Sequence, residues 1–404
     1  MAGGIAERWK ALSGSDNWKG LLDPLDSDLR RYLIHYAAMI CPSFETLITQ
    51  PFSKNIGLPR YARRNLLANT GLVKGNPFKY EVTKYFYAVS GFPVGATGYN
   101  VRPERSDAVL KESNWNGYVA VATDEGKAAL GRRDILVVWR GTLRPLEWVT
   151  NFTFLFVTAP LIFGQNSDPL VHRGWYEMYT AINKDSVLNE KSARDQVREE
   201  VARLVELYKG EELSITVTGH SLGSSMATLN ATDMAVNPFR PDIPVTAFLY
   251  ASPKVGDLNF KNAFANQPNL RGLRITDVND VVTKIPPFGW PLGAQILPII
   301  YYQDVGEGLI IESKRSEYLK PELSSALGYH DLVLYMHAID GFEGPQGGIL
   351  PRGFFDLAKI NKYQDALKDE FSIPVAWLTV KDKGMVQKED GSYILDDHEV
   401  DDGF

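Results

Sequence analysis

Leu213-Ser214-Ile215-Thr216-Val217-Thr218, running into Gly219-His220-Ser221-Leu222-Gly223, decides the architecture. The first six residues are rich in β-formers and read as a strand. The next five form a G-x-S-x-G motif, and a helical stretch follows to about Ala235. A serine on a sharp strand-to-helix turn has its hydroxyl lifted above the sheet, where a substrate can meet it. Glycines flank it because a Cβ at either place would collide with the neighbouring strand and helix. The motif alone is weak, since a glycine-rich connection with a capping serine has the same spelling. The strand before it and the helix after it are what the chemistry requires.

The pattern extends outward. Asn116–Thr123 alternates like a strand, and Asp134–Trp139 is a continuous apolar run, as in a strand buried on both faces. Ala193–Tyr208 places Val197, Val201, Leu204, Val205 and Tyr208 on one helical stripe, stopped by Lys209 and Gly210. Val245–Ala251 and Leu273–Val278 continue the strands. Strands interleaved with helices across roughly 115–340 predict a mostly parallel sheet flanked by helices. Residues 1–110 read as a helical and irregular N-terminal region packed on the core, with a helix over Ser27–Ile40. Residues 111–350 form the core. Residues 351–404 read as a C-terminal extension with one helical stretch, Asp356–Phe371, and a frayed acidic end, Asp396–Asp402. The three parts are expected to make one structural domain.

Composition narrows the function. The 404 residues are 44% hydrophobic and 23% charged, an ordinary globular balance that excludes a disordered or collagen-like chain. The net charge of −6, with no basic stripe, gives no footing for a nucleic-acid partner. One cysteine, Cys41, permits no internal disulfide. Met1–Lys10 lacks an apolar targeting stretch, and Asp401–Phe404 matches no sorting signal. Thr150–Gly164 is too short to span a bilayer. The expectation is a soluble, cytoplasmic protein. No H-x-x-x-H pair, calcium loop or phosphate-binding glycine loop is present, so no metal and no cofactor are expected. Water would be the second substrate.

A serine hydroxyl needs a base, and the base needs a carboxylate. On this architecture the order along the chain is Ser, acid, His. His330, His337 and His398 follow Ser221. His398 sits in the acidic tail. His220 is adjacent to the serine, points away from its hydroxyl, and would pack or hydrogen-bond beneath the turn. His330 precedes an apparent helix, Asp331–Ile339, and a loop suits a proton shuttle. His337 lies two turns into that helix, among apolar residues, and remains the alternative base. Asp280 opens the loop after Leu273–Val278, where open α/β sheets keep working residues. Asp257 and Asp277 compete with it. The backbone N–H of Leu222 is the first oxyanion donor.

GHSLG, Trp139-Arg140-Gly141-Thr142, Val171-His172-Arg173-Gly174-Trp175 and Asn279-Asp280-Val281-Val282 together resemble the class 3 lipases. Trp18–Asp26 (WKGLLDPLD) and Lys383–Gly391 (KGMVQKEDG) are similar to the plant phospholipase A1 branch, in its cytosolic subgroup. The resemblance implies an α/β-hydrolase fold and hydrolysis of the sn-1 acyl ester of glycerolipids. It implies Asp280 from Asn-Asp-x-Val, His330 from His-x-Leu, and Thr142 as the second oxyanion donor. Thr283 stands where many relatives have proline, and Phe288–Ile300 looks like an insertion.

The resemblance also makes Leu143–Asn151 the lid. Trp148, with Phe152, Phe154 and Phe156 beyond it, would line an acyl channel and meet the lipid surface. Plain core packing is the other account of the Phe152–Phe163 stretch. The expected partner is a phospholipid or other glycerolipid at a membrane surface. The same catalytic residues would serve a general carboxylesterase, a triacylglycerol lipase or a galactolipase. A lipase-like signalling scaffold would need none of them.

Overall fold

The computed structural model describes residues 3–50, 53–89, 113–141, 155–286, 301–323, 327–345, 347–379 and 384–395. Among these, seven strands form one sheet: β1 (Tyr80–Val89), β2 (Ser113–Ala122), β3 (Arg133–Trp139), β6 (Leu213–His220), β7 (Val245–Tyr250), β8 (Leu270–Asp277) and β9 (Glu307–Ile311). They lie side by side in that order. β1, β2 and β3 pair antiparallel, and every pairing from β3 to β9 is parallel. Two short antiparallel pairs stand apart: β4 (Phe156–Thr158) with β5 (Leu170–His172), and β10 (Met385–Gln387) with β11 (Tyr393–Leu395).

Helices cover both faces. On one lie α1 (Gly3–Leu12), α2 (Ser27–Ala38) and a later helix beside β9; on the other lie α3 (Ala193–Leu207) and α4 (Leu222–Val236). The later helix is α5 (Leu332–Gly341). β3 shows why its sequence is apolar throughout. Leu136 and Val138 pack on the α2 side, while Ile135, Val137 and Trp139 pack on the α4 side. Each such side chain contributes roughly 1.5–3 kcal/mol of burial. The mostly parallel, helix-flanked sheet is the one expected from the alternation of strands and helices, and the fold is the α/β-hydrolase fold that the resemblance implies.

α4 is buried almost all round yet carries hydroxyls. Thr228 and Thr232 donate back to the carbonyls of Ser224 and Thr228, while the buried Ser225 hydroxyl has no partner among the described residues. α2 begins at the Asp26 cap, whose carboxylate accepts from the N–H groups of Asp28 and Leu29. Its buried Arg30 donates to the carbonyls of Ile339, Asp340 and Phe342. A cation at the carboxyl end of α5 satisfies the helix's last carbonyls and fixes the element that starts beside His330.

Two segments differ from the sequence expectation. Tyr80–Val89, inside the stretch read as helical and irregular, is a sheet strand. Register shifts at Val82/Lys84 and Phe86/Tyr87 break its alternation. Asp356–Phe371 is not one helix but two 3-10 turns, Leu357–Asn361 and Asp369–Phe371. Asn361 is the cause. Its side-chain oxygen accepts from the N–H groups of Ala366 and Leu367, folding the chain back before a second helical turn can form. Asp396–Asp402 lies outside the described residues.

Candidate active site

β6 runs into α4 through Ser221, whose φ is +59° and ψ −128°. Such a conformation costs a non-glycine residue about 1–3 kcal/mol and persists only where the surroundings enforce it. Here they do. The Ser221 N–H donates to the Tyr250 carbonyl at 3.0 Å. The Ser224 hydroxyl sits 2.6 Å from the Gly219 carbonyl and 2.7 Å from that of Tyr250. A Cβ on Gly219 would lie 2.3 Å from Gly223 backbone, and one on Gly223 would lie 2.3 Å from the Trp139 carbonyl oxygen. The glycines are required for the steric reason the motif suggests. The Ser221 side chain makes no capping bond to α4, so the hydroxyl is not spent on the helix.

Asp280 sits in the loop after β8 and is fully buried. One carboxylate oxygen accepts from the Val282 N–H at 2.8 Å. The other lies 2.7 Å from His330 Nδ1 and 2.7 Å from the Tyr335 hydroxyl. His330 lies at the end of a 3-10 turn, Gly328–His330, and Asp331 caps α5 directly after it. The competing residues are committed elsewhere. Asp277 ends β8 and accepts from the N–H groups of Asn279 and Ser313. Asp257 caps the helix Leu258–Ala265 through the Phe260 N–H. His337 Nε2 pairs with the Ser316 hydroxyl at 2.6 Å, and burial pushes its pKa down to about 4.

The structure therefore joins Asp280 to His330 and leaves His337 in the core. Ser221 Oγ and His330 Nε2 are both buried without a hydrogen-bond partner, so no bond closes the Ser221–His330 link in this state. Catalytic hydrogen bonds in empty sites are often long and tighten when substrate binds.

One contributor escaped the sequence, and another has a partner the sequence did not name. Tyr335 lies within the apparent helix Asp331–Ile339 and carries no signal of its own in the sequence. Its hydroxyl donates to Asp280 while accepting from the Asp277 N–H at 3.0 Å. His220 hydrogen-bonds beneath the turn, as expected, and its partner is the base itself. Its Nε2 lies 2.7 Å from the His330 carbonyl oxygen, and the two rings are 4.6 Å apart. A carbonyl can only accept, so Nε2 carries the proton. Burial, reinforced by neighbouring His330, drives the His220 pKa well below its ordinary value and keeps the ring neutral.

Leu222, the first residue of α4, is buried beside the serine. Arg140 holds the strand end that leads to Thr142: its guanidinium donates to the carbonyls of Trp115 and Gly141. Gly141 backs onto the turn, since a Cβ there would come 2.6 Å from the His220 carbonyl and 3.5 Å from Ser221 Cβ. Thr142 itself, with Trp148, Phe152, Phe154 and the Phe288–Ile300 stretch, lies outside the described residues. Phe156 is described. It stacks on Tyr302, with ring centroids 4.1 Å apart. Among the described residues no group of three or more His, Cys, Asp or Glu could hold a metal ion.

A family model described as Lipase (class 3) matches residues 136–290, taking in Ser221 and Asp280 and ending short of His330. Phospholipase A1-IIgamma of Arabidopsis thaliana is 43% identical over 409 residues, which is 98% of this chain and 94% of that protein. Phospholipase A1-II 7 of Oryza sativa subsp. indica is 45% identical over 417 residues, 99% of this chain and 98% of that one. Among solved structures, the nonglycosylated LIP2 lipase of Yarrowia lipolytica aligns with a TM-score of 0.45 and 18% identity, over 72% of this chain and 82% of that chain. With identity above 40% along nearly its whole length, the chain belongs to the class 3 lipase family, in the phospholipase A1-II branch of plants.

Proposed function

We propose that the protein is a serine acylhydrolase that cleaves the sn-1 acyl ester of phospholipids. The observation that carries the chemistry is the strained, uncapped Ser221 at the β6–α4 turn, near a buried His330 already bonded to Asp280. Ser221 Oγ attacks the ester carbonyl while His330 Nε2 takes its proton. Asp280 holds Nδ1–H and stabilises the imidazolium. The tetrahedral oxyanion is met by the N–H of Leu222, at the positive end of α4, and by Thr142. Collapse expels the lysophospholipid alkoxide, which takes the proton from His330 and leaves Ser221 acylated. Water then attacks the acyl-enzyme with His330 as base, releasing fatty acid and free serine. No cofactor enters either half-reaction.

The phospholipid assignment rests on the family. Relatives named phospholipase A1-II match along nearly the full chain. The decisive experiment is mass spectrometry of products from a phosphatidylcholine with different chains at its two positions. Release of the sn-1 chain supports the assignment. Release mainly from sn-2 overturns it. Inert phospholipid with good turnover of triacylglycerol or galactolipid moves the enzyme to those substrates.

No helix among the described residues is long and apolar enough to cross a membrane. The enzyme would meet lipid by surface contact, through Trp148 and the apolar stretch from Phe152 to Phe156, from the cytoplasmic side. A buried Cys41 as the one cysteine suits that reducing compartment. Trp148→Ala should lower activity on vesicles more than on a soluble short-chain ester. Equal losses on both would remove the lid role.

A further inference from the structure

A cleft of about 430 Å³ opens between α2, the turn from Gly71 to Phe78, Lys359 and the tip of the β10–β11 hairpin. It lies far from Ser221. His35, on its wall, stacks on Tyr80, the first residue of β1, and the Tyr80 hydroxyl donates to Asp134 at the start of β3. Ser221 follows the opposite end of β6, where Trp139 pairs with Gly219 rather than Arg133 with Leu213. Six residues of strand separate the two ends, roughly 20 Å.

The charges on its walls are unequally satisfied. The Lys359 ammonium makes no hydrogen bond or ion pair among the described residues; it lies 5.9 Å from the centroid of the Phe355 ring and 5.6 Å from that of Tyr393. Burial, followed by repulsion from Lys362, lowers its pKa. The acids of the same cleft have structural duties. Asp356 accepts from the N–H groups of Ala358 and Tyr393. Asp390 accepts from the N–H and hydroxyl of Ser392. Arg31 is a second cation on the wall, over the Phe354 ring and paired with Asp28. Ile34, Leu72 and Phe78 give the remaining wall an apolar surface.

A cationic group drawn partly out of water with Asp356 and Glu45 near but no carboxylate hydrogen-bonded to it is costly, and an anion entering beside it lowers that cost. The volume exceeds a bare ion and matches a small organic ligand. We infer that this cleft binds a phosphate monoester, with Lys359 and Arg31 on the phosphoryl group and the organic part against Ile34 and Phe78. The chemistry is shared by a free phosphate ester and by the headgroup of phosphatidic acid. The inference does not depend on the acylhydrolase reading, because its tests read binding.

Isothermal titration of the full-length chain with inorganic phosphate and with glycerol 3-phosphate tests it. Co-sedimentation with phosphatidylcholine vesicles, with and without phosphatidic acid, covers the lipid source. Saturable binding of glycerol 3-phosphate is expected, weakened about 10-fold or more by Lys359→Met and retained by Lys359→Arg. Turnover of a soluble ester should stay unchanged in both variants, which also reports that they are folded. Phosphatidic-acid vesicle binding that needs Lys359 would place the ligand on the lipid; glycerol 3-phosphate binding without it would make the ligand a free ester. In the unaltered protein, a ¹⁵Nζ shift of Lys359 on adding phosphate checks the site without substitution. No binding of either probe up to roughly 10 mM, or equal binding by Lys359→Met, overturns the inference.

Discussion

The Tyr335 hydroxyl donates to the same Asp280 oxygen that receives His330 Nδ1, at 2.7 Å in both cases. Tyr335 in turn accepts from the Asp277 N–H, so the carboxylate is tied through it to the end of β8. Asp280 thus has three donors on two oxygens, counting the Val282 N–H. The orientation of the imidazole is set by a carboxylate that cannot rotate.

Tyr335→Phe removes one of those donors and leaves the ring's packing. A hydrogen bond to a charged group is worth about 1.5–3 kcal/mol, so kcat should fall roughly 10- to 100-fold with KM little changed. Steady-state kinetics on a soluble ester check this. A purely structural role would instead lower the unfolding midpoint and leave kcat intact.

His220 grips the His330 backbone across a separation of 110 residues. His220→Leu should lower kcat about 10-fold by freeing the carbonyl and the histidine it carries. His220→Gln keeps an N–H donor and should recover most of the loss. Failure of glutamine to do better than leucine would show that the donor is not what matters.

Gly223→Ala drives a Cβ to 2.3 Å from the Trp139 carbonyl oxygen and should destabilise by about 3 kcal/mol or more. Gly210→Ala meets nothing within 4 Å and should be neutral or slightly stabilising. Urea unfolding of the two variants beside the parent gives both numbers.

Four buried histidines, His35, His172, His220 and His337, set an acid limit. Burial holds His35 and His172 down to about 3 and His337 to about 4, against an ordinary 6.5. Between those values the unfolded chain binds the protons, so each histidine's stabilisation is complete above about pH 6.5 and is lost as pH falls. The slope is about 1.4 kcal/mol per pH unit for each. Asp331, raised to about 6 by burial, acts in the opposite sense between its ordinary value and 6. Stability measured in urea should fall from pH 7 to pH 5, and His337→Asn should make the fall shallower. A flat or rising profile would contradict the assignment of neutral cores.

The sequence was legible where structure is local. The β6–Ser221–α4 turn follows from one β-run, two glycines and a helix, and the buried strands from their unbroken apolar runs. Asp280 was legible because it opens the loop after a strand, and the family's Asn-Asp-x-Val pattern chose it over Asp257 and Asp277. The base stayed open between His330 and His337, since the choice turns on which of the two meets Asp280 and which meets Ser316. Tyr335 was illegible, as was the identity of His220's partner, because the residues they meet are distant in the chain. β1 hid behind two bulges, and a single side chain, Asn361, undid the expected helix after Asp356.

Intact-protein mass spectrometry after exposure to an alkyl phosphonate ester tests the proposed nucleophile most directly. The phosphorus is attacked as an ester carbonyl would be, and the serine–phosphonate bond survives. A single adduct mapped to Ser221, lost in Ser221→Ala and strongly slowed in His330→Ala, is the predicted result. An adduct on another residue, or full esterase activity in Ser221→Ala, would contradict it.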